Sequence, residues 1–309
     1  MIEVEFGKPF ESRIFLALGY FDCVHEGHRK LIEITRSHAK KQNALCAVMT
    51  FEDSEFPLPN KDTRSLYTYE ERTEEFADLG ADVVIKAYFT KEFMKTGAHE
   101  FLELLAEYDL GGVFCGYDYT FGRNSEGNAL LLKKFAESKG IPFYCMEKYE
   151  INGMRVSSTV IKDYLARGMI EEADKMLGRP FKITGRVTEG DGRGNSLGFP
   201  TANLICSKNK VLPADGVYSA ECSTDGAVYK TMLHIGPRPT YGGGEKRIEA
   251  HLIGFCGTLY GKELTLRVKK RIRGVKEFSG SEQLKVQLRK DMEAVSYTHL
   301  RAHETRRHL

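Results

Sequence analysis

A chain of 309 residues with 45 Lys+Arg against 43 Asp+Glu has a formal net charge of only +2, which excludes nucleic acid or a membrane surface as a partner held by bulk charge. Its hydrophobic fraction of 41% and charged fraction of 28% are those of a soluble globular protein long enough for two domains with separate cores. Seven scattered cysteines without C-x-x-C spacing, an N-terminus without a basic or long apolar leader, and no apolar run of membrane length point to reduced thiols in the cytoplasm.

In chain order, Ile14 to Leu18 is an unbroken apolar run, the pattern of a strand buried on both faces. It leads through a turn into a helical period from Arg29 to Lys41. Short apolar runs follow at Ala44 to Phe51, Val83 to Ile85, Val113 to Cys115 and Phe143 to Met146. Helical patterns separate them near Glu70 to Asp78, His99 to Glu107 and Asn128 to Ser138. Strand and helix in alternation predict a parallel sheet covered on both faces.

The texture changes after Gly178-Arg179-Pro180. Alternating runs at Lys182 to Val187, Val217 to Glu221, Arg247 to Ile253 and Glu263 to Val268, separated by Gly-rich turns, predict a compact antiparallel barrel. Phe278 to Val295 regains a helical period. The expected domains are 1–177 and 178–295. Residues 296–309 hold three of the nine histidines and no coherent apolar face; they read as a non-native tail and carry no functional argument.

Two stretches carry chemistry. Gly19 to His28 follows the first strand and opens the first helix, where free N–H groups and a partial positive charge suit a phosphate. Gly27 permits close approach, and His25 and His28 can donate to the charge that builds on an attacked phosphate. Incidental loop histidines, or a zinc site with Cys23, are the alternatives. Farther on, Ser157, Ser158 and Thr159 can cap a helix or hold phosphate oxygens, with Lys162 one turn in.

In the second half, Gly190, Gly192 and Gly194 permit a loop that wraps polyphosphate, with a plain Gly-rich hairpin as the alternative. Thr201 and Asn203, two apart on an extended segment, share a side and can hold Mg²⁺ with ATP oxygens. Glu249 and His251 share the face opposite Ile248, Ala250 and Leu252. That face is either solvent or a site in which the carboxylate takes a proton from an attacking alcohol.

The segment His25-Glu26-Gly27-His28 resembles the H-x-G-H signature of the nucleotidyltransferase superfamily. Gly116-Tyr117-Asp118-Tyr119-Thr120-Phe121-Gly122 and Val156-Ser157-Ser158-Thr159-Val160-Ile161-Lys162 resemble motifs of the bacterial FMN adenylyltransferase domain. Leu177 to Phe181, Leu197 to Asn203, Gly216-Val217-Tyr218, Ile235 to Thr240, Glu249 to Leu252 and Leu259 to Lys262 resemble the riboflavin kinase domain. The resemblance implies a Rossmann-like α/β domain followed by an antiparallel β-barrel with a terminal helix. It implies riboflavin, FMN and ATP as substrates, with Mg²⁺ accompanying ATP. It also implies Glu249 as the base, Thr201 and Asn203 on Mg–ATP, and Asp118 and Arg238 at flavin. The chain departs from the family pattern at Tyr20, Cys23, Lys162, Asn195 and Gly254. A kinase with an altered first domain and a non-catalytic flavin-binding paralogue are the narrower readings.

Overall fold

The computed structural model describes residues 1–52, 64–190, 198–237 and 246–305, with side chains to residue 297. The chain divides into two compact units, Met1–Ser158 and Thr159–Leu309.

The first unit is built on a six-stranded parallel sheet. Its strands are β1 (Ile2–Glu5), β2 (Ile14–Leu18), β3 (Leu45–Glu52), β4 (Val83–Tyr88), β5 (Leu110–Gly116) and, after two short hairpin strands β6 (Thr120–Phe121) and β7 (Gly127–Asn128), β8 (Phe143–Met146). Their order across the sheet is β1-β4-β3-β2-β5-β8. Period-two alternation sorts the central strand between two cores. Ile14, Leu16 and Leu18 join Phe101, Leu102 and Leu132 on one face; Phe15 and Ala17 join Leu31, Ile32 and Phe76 on the other. The covering helices are α1 (Glu26–Lys41), α2 (Tyr69–Asp78), α3 (Ala98–Leu105) and α4 (Ala129–Ser138). Helix α2 starts with a reciprocal capping box between Thr68 and Glu71, a device that contributes about 1 kcal/mol. A small hairpin, β9 (Glu150–Ile151) and β10 (Met154–Arg155), closes the unit.

The second unit begins with α5 (Ser158–Ala166) and α6 (Ile170–Leu177), the latter ended by Gly178 in the left-handed conformation. A closed antiparallel barrel follows, ordered β11 (Lys182–Thr188), β12 (Ala202–Ile205), β15 (Lys246–Leu252), β14 (Ala227–Pro237), β13 (Gly216–Thr224) and β16 (Glu263–Arg273). The fully buried Ile183, Tyr218, Ala220, Leu233, Ile235, Leu264 and Leu266, with Ile248 and Ala250, supply its core. Helix α7 (Ser281–Thr305) lays Leu288, Met292 and Val295 over Val217 and Met232 on the barrel's outer face. The bidentate pair between Arg273 on β16 and Asp291 on α7 (2.7–3.0 Å) holds it there, Gln287 donating a further bond to Asp291. The mixed fold expected from the pattern, a parallel α/β unit and then a barrel with a terminal helix, is the fold found.

Candidate active sites

In the first unit β3 lies on one side of β2 and β5 on the other. This reversal opens a crevice at the carboxyl ends of the strands, and the turn from Gly19 to His25 rises there. Phe21 (φ 55°) and Val24 (φ 47°) both adopt the left-handed region, a strained choice for a β-branched residue that costs about 1–3 kcal/mol. Anchors hold it. Asp22 accepts from the Leu66 N–H at 2.7 Å through its carboxylate and from the Tyr67 N–H at 3.1 Å through its carbonyl. The fully buried Arg72 of α2 donates to the Tyr20 carbonyl (3.0 Å), Thr50 Oγ1 (2.8 Å) and the Phe51 carbonyl (2.8 Å), and its guanidinium lies 4.8 Å from the Tyr20 ring centroid.

The turn delivers His25 to the N-cap of α1, where its Nδ1 accepts the His28 N–H at 3.2 Å. The two imidazoles stack with centroids 3.6 Å apart at 15°, and Phe21 meets His28 edge-on. They therefore differ from a pair of independent donors, since capping engages Nδ1 of His25. Gly27 fits because an added Cβ would sit 3.3 Å from both His25 Cε1 and Tyr149 Cβ. Ser158 Oγ lies 3.7 Å from Cys23 Sγ, which brings the start of the Ser-Ser-Thr motif to this turn, with Ser157 half-buried beside it. Thr159 and Lys162 lie in α5, within the second unit. Asp118, just beyond β5, is paired with Arg155 of β10 at 2.6 Å, and Arg155 also covers the Tyr117 ring. Arg72 and Arg155 were missed in the sequence; their partners are distant in the chain and no local spacing announces them.

In the barrel, register builds the site. Asn203 on β12 lies opposite Glu249 on β15, which lies opposite His234 on β14. Directly paired residues share a face, so these three form a row on the outer face. Thr201 is two residues before Asn203. The Pro200 carbonyl lies 2.7 Å from Nδ1 of the buried His251, which fixes the entry to β12. Gly190 is required here by a close approach: a Cβ would fall 1.9 Å from Asn203 Nδ2. Gly192, Gly194 and Arg238 lie outside the described residues. On the face of Glu249, Arg247 Nε reaches Glu249 Oε1 at 3.1 Å and Asn203 Oδ1 at 3.2 Å. Burial pushes the His234 imidazole below its ordinary pKa, against the pull of Glu249. Arg247 and His234 were passed over, although Arg247 shares the face of Glu249 by simple alternation.

A Rossmann-like unit with histidines at a helix N-terminus, followed in the chain by a barrel with a hydroxyl, an amide and a carboxylate in register, defines a class: a nucleotide-dependent transferase with two sites. Residues 8–160 match the FAD synthetase family and residues 177–298 the riboflavin kinase family. The bifunctional riboflavin kinase/FMN adenylyltransferase of Escherichia coli (strain K12) is 34% identical over 89% of this chain and 90% of its own length. That of Bacillus subtilis (strain 168) is 32% identical over 94% of each. A crystal structure from Streptococcus pneumoniae, described as a macrolide-efflux protein, superposes with a TM-score of 0.84 at 29% identity, covering 96% of this chain and 99% of that one. The chain belongs to the bifunctional riboflavin kinase/FMN adenylyltransferase family.

Proposed function

We propose that the two activities of the family are divided between the sites described: riboflavin is phosphorylated at the barrel, and the FMN formed is adenylylated at the parallel-sheet unit. The observation that carries this reading is the register pair Asn203–Glu249, which puts a carboxylate beside a hard-oxygen donor on one face of the barrel. The ribityl 5′-oxygen attacks the γ-phosphorus of ATP, the bond to the β–γ bridging oxygen breaks, and ADP leaves. Glu249 takes the hydroxyl proton, and positioning supplies most of the remaining catalysis. Gly190 admits the phosphates.

Thr201 and Asn203 present the neutral oxygens that a hard divalent cation takes alongside phosphates and water. The hydrogen bond from the cationic Arg247 guanidinium to Asn203 Oδ1 supports this reading. These two residues would hold Mg²⁺, which when bound neutralises charge on the transferring phosphoryl oxygens.

At the first unit a phosphate oxygen of FMN attacks the α-phosphorus of a second ATP, the α–β bridge breaks and pyrophosphate leaves. His25 through Nε2 and His28 donate to the α-phosphate oxygens as charge builds. The α1 N-terminus and Gly27 admit the phosphates; Ser157 and Ser158 complete their binding, and Asp118 orients the flavin. ATP as substrate supports a cytoplasmic setting. Among the described residues no helix is long and apolar enough to cross a membrane.

The test is a chromatographic time course of flavins with riboflavin, ATP and Mg²⁺. FMN should rise first and FAD follow, and both should stop in chelator. FMN that accumulates without FAD, even when FMN is supplied, would overturn the role given to the first site.

A further inference from the structure

The Nε of Arg247 donates to Asn203 Oδ1 at 3.2 Å, and the same nitrogen lies 3.1 Å from Glu249 Oε1. Both belong to the kinase machinery proposed above, one as base and the other as a cation ligand. The side chains of Arg247 and Glu249 are 22% and 26% exposed, so the contact is partly shielded from water. No loop excursion brings Arg247 there. It sits within β15, two residues before Glu249, with its backbone fixed opposite Gly236 of β14. Gly236 leaves this spot clear: a Cβ there would fall 2.9 Å from the His234 ring, so the imidazole lies along its own strand over that glycine.

We propose that Arg247 is a built-in placeholder cation: it occupies the position between Asn203 and Glu249 until the metal–nucleotide enters and displaces it. The inference rests on the assignment of Asn203 to the metal. Two positive charges cannot share these two oxygens without strong repulsion in a partly desolvated site, so seating of the metal and docking of Arg247 compete. The guanidinium also orients Glu249 while the site waits. Competition lowers apparent affinity by the fraction of molecules in which the site is open. The residue therefore sets the metal–nucleotide requirement of the kinase, a role distinct from an arginine that binds phosphate.

The two roles have opposite signs. Calorimetric titrations of the full chain with ADP and with Mg–ADP, in wild type and Arg247→Gln, separate them. The substitution leaves the residues of the first unit unchanged, so a difference between isotherms belongs to the barrel. The expected result is that Mg–ADP binds about five- to tenfold tighter in Arg247→Gln, as for a site open in about 10–20% of wild-type molecules. ADP without metal should bind no tighter. Weaker binding of both would make Arg247 a phosphate ligand and overturn the proposal. An equal metal-dependent gain in the two proteins would overturn the placeholder while leaving the metal assignment intact. No metal-dependent barrel binding in either would overturn both. Should Arg247→Gln fail to fold, Arg247→Lys, which lacks the Nε–H donated to Asn203, must shift the metal-dependent gain in the same direction, and an unchanged gain overturns the proposal.

Discussion

The two sites are held by different means. In the parallel-sheet unit the histidines proposed to act follow a turn whose conformation is unfavourable by itself, with Phe21 and Val24 at positive φ. That turn is fixed from outside by Asp22 and Arg72. In the barrel the corresponding groups stand on strands, and the hydrogen-bonded register sets their spacing. A turn-built site is therefore vulnerable at its anchors. A register-built site is vulnerable at the functional groups themselves and at whatever keeps the barrel closed.

The widest separation comes from removing one group from each site. Glu249→Gln should lower FMN formation about 10²- to 10⁴-fold, the usual worth of a positioned base, while FAD formation from supplied FMN stays at the wild-type rate. His28→Asn should do the reverse, lowering FAD formation about 10²- to 10³-fold through lost transition-state charge stabilisation and leaving FMN formation intact. Initial rates of the two flavin products, measured separately, check both. A Glu249→Gln protein with full kinase activity would remove the carboxylate from the mechanism.

The anchors come next. Arg72→Met keeps much of the buried stem but leaves the Tyr20 and Phe51 carbonyls and the Thr50 hydroxyl without their donor. It should destabilise the first unit by about 3 kcal/mol and depress FAD formation, with the kinase unaffected. If FAD formation survived in proportion to folded protein, Arg72 would support the fold without aligning the turn. The counterpart in the barrel is Asp291→Asn, which removes the charge facing Arg273 while keeping an oxygen acceptor. About 2 kcal/mol should be lost from the barrel's unfolding transition, and the kinase should fall only as far as α7 loosens. Thermal unfolding followed by circular dichroism distinguishes the two units through their separate transitions.

These contrasts also explain what the sequence revealed. Strand β2 and the helix after it were legible because a strand buried on both faces writes an unbroken apolar run, and the H-x-G-H turn follows it directly. Strand β14 was not. Leu233 faces the barrel interior while Met232 packs with Val217 and the residues of α7, so the two-residue period is erased where the helix covers the outer face. The partners Asn203 and Glu249 were each recognisable by motif, but their pairing, with Arg247 between them, exists only in register. Asp118 was visible as a turn residue; its ion pair with Arg155, 37 positions away, was not. The helix expected from Phe278 to Val295 runs from Ser281 to Thr305, since the last turns need no apolar face to continue.

The smallest effect is a pH dependence that only the second unit should show. Asp174 on α6 accepts the Phe181 N–H at 2.9 Å where the helix hands over to the barrel. Burial raises its carboxyl from 3.8 to about 7, although the Phe181 bond, Lys269 and Arg179 oppose the rise and Glu171 adds to it. A carboxyl that binds its proton more tightly when folded supports the fold fully below its unfolded pKa. That support drains away as pH rises toward the folded value. At about 1.4 kcal/mol per unit the ceiling is about 4 kcal/mol, and local relaxation should leave about 1–2 kcal/mol. Asp174→Asn keeps an acceptor for the Phe181 N–H but cannot ionise. Urea midpoints for the second unit should therefore converge near pH 4 and separate by pH 8, with wild type the less stable there. Parallel curves for the two proteins across that range would mean that the carboxyl is already ionised in the folded state at ordinary pH. The seam between α6 and the barrel would then tolerate a charge that its burial argues against.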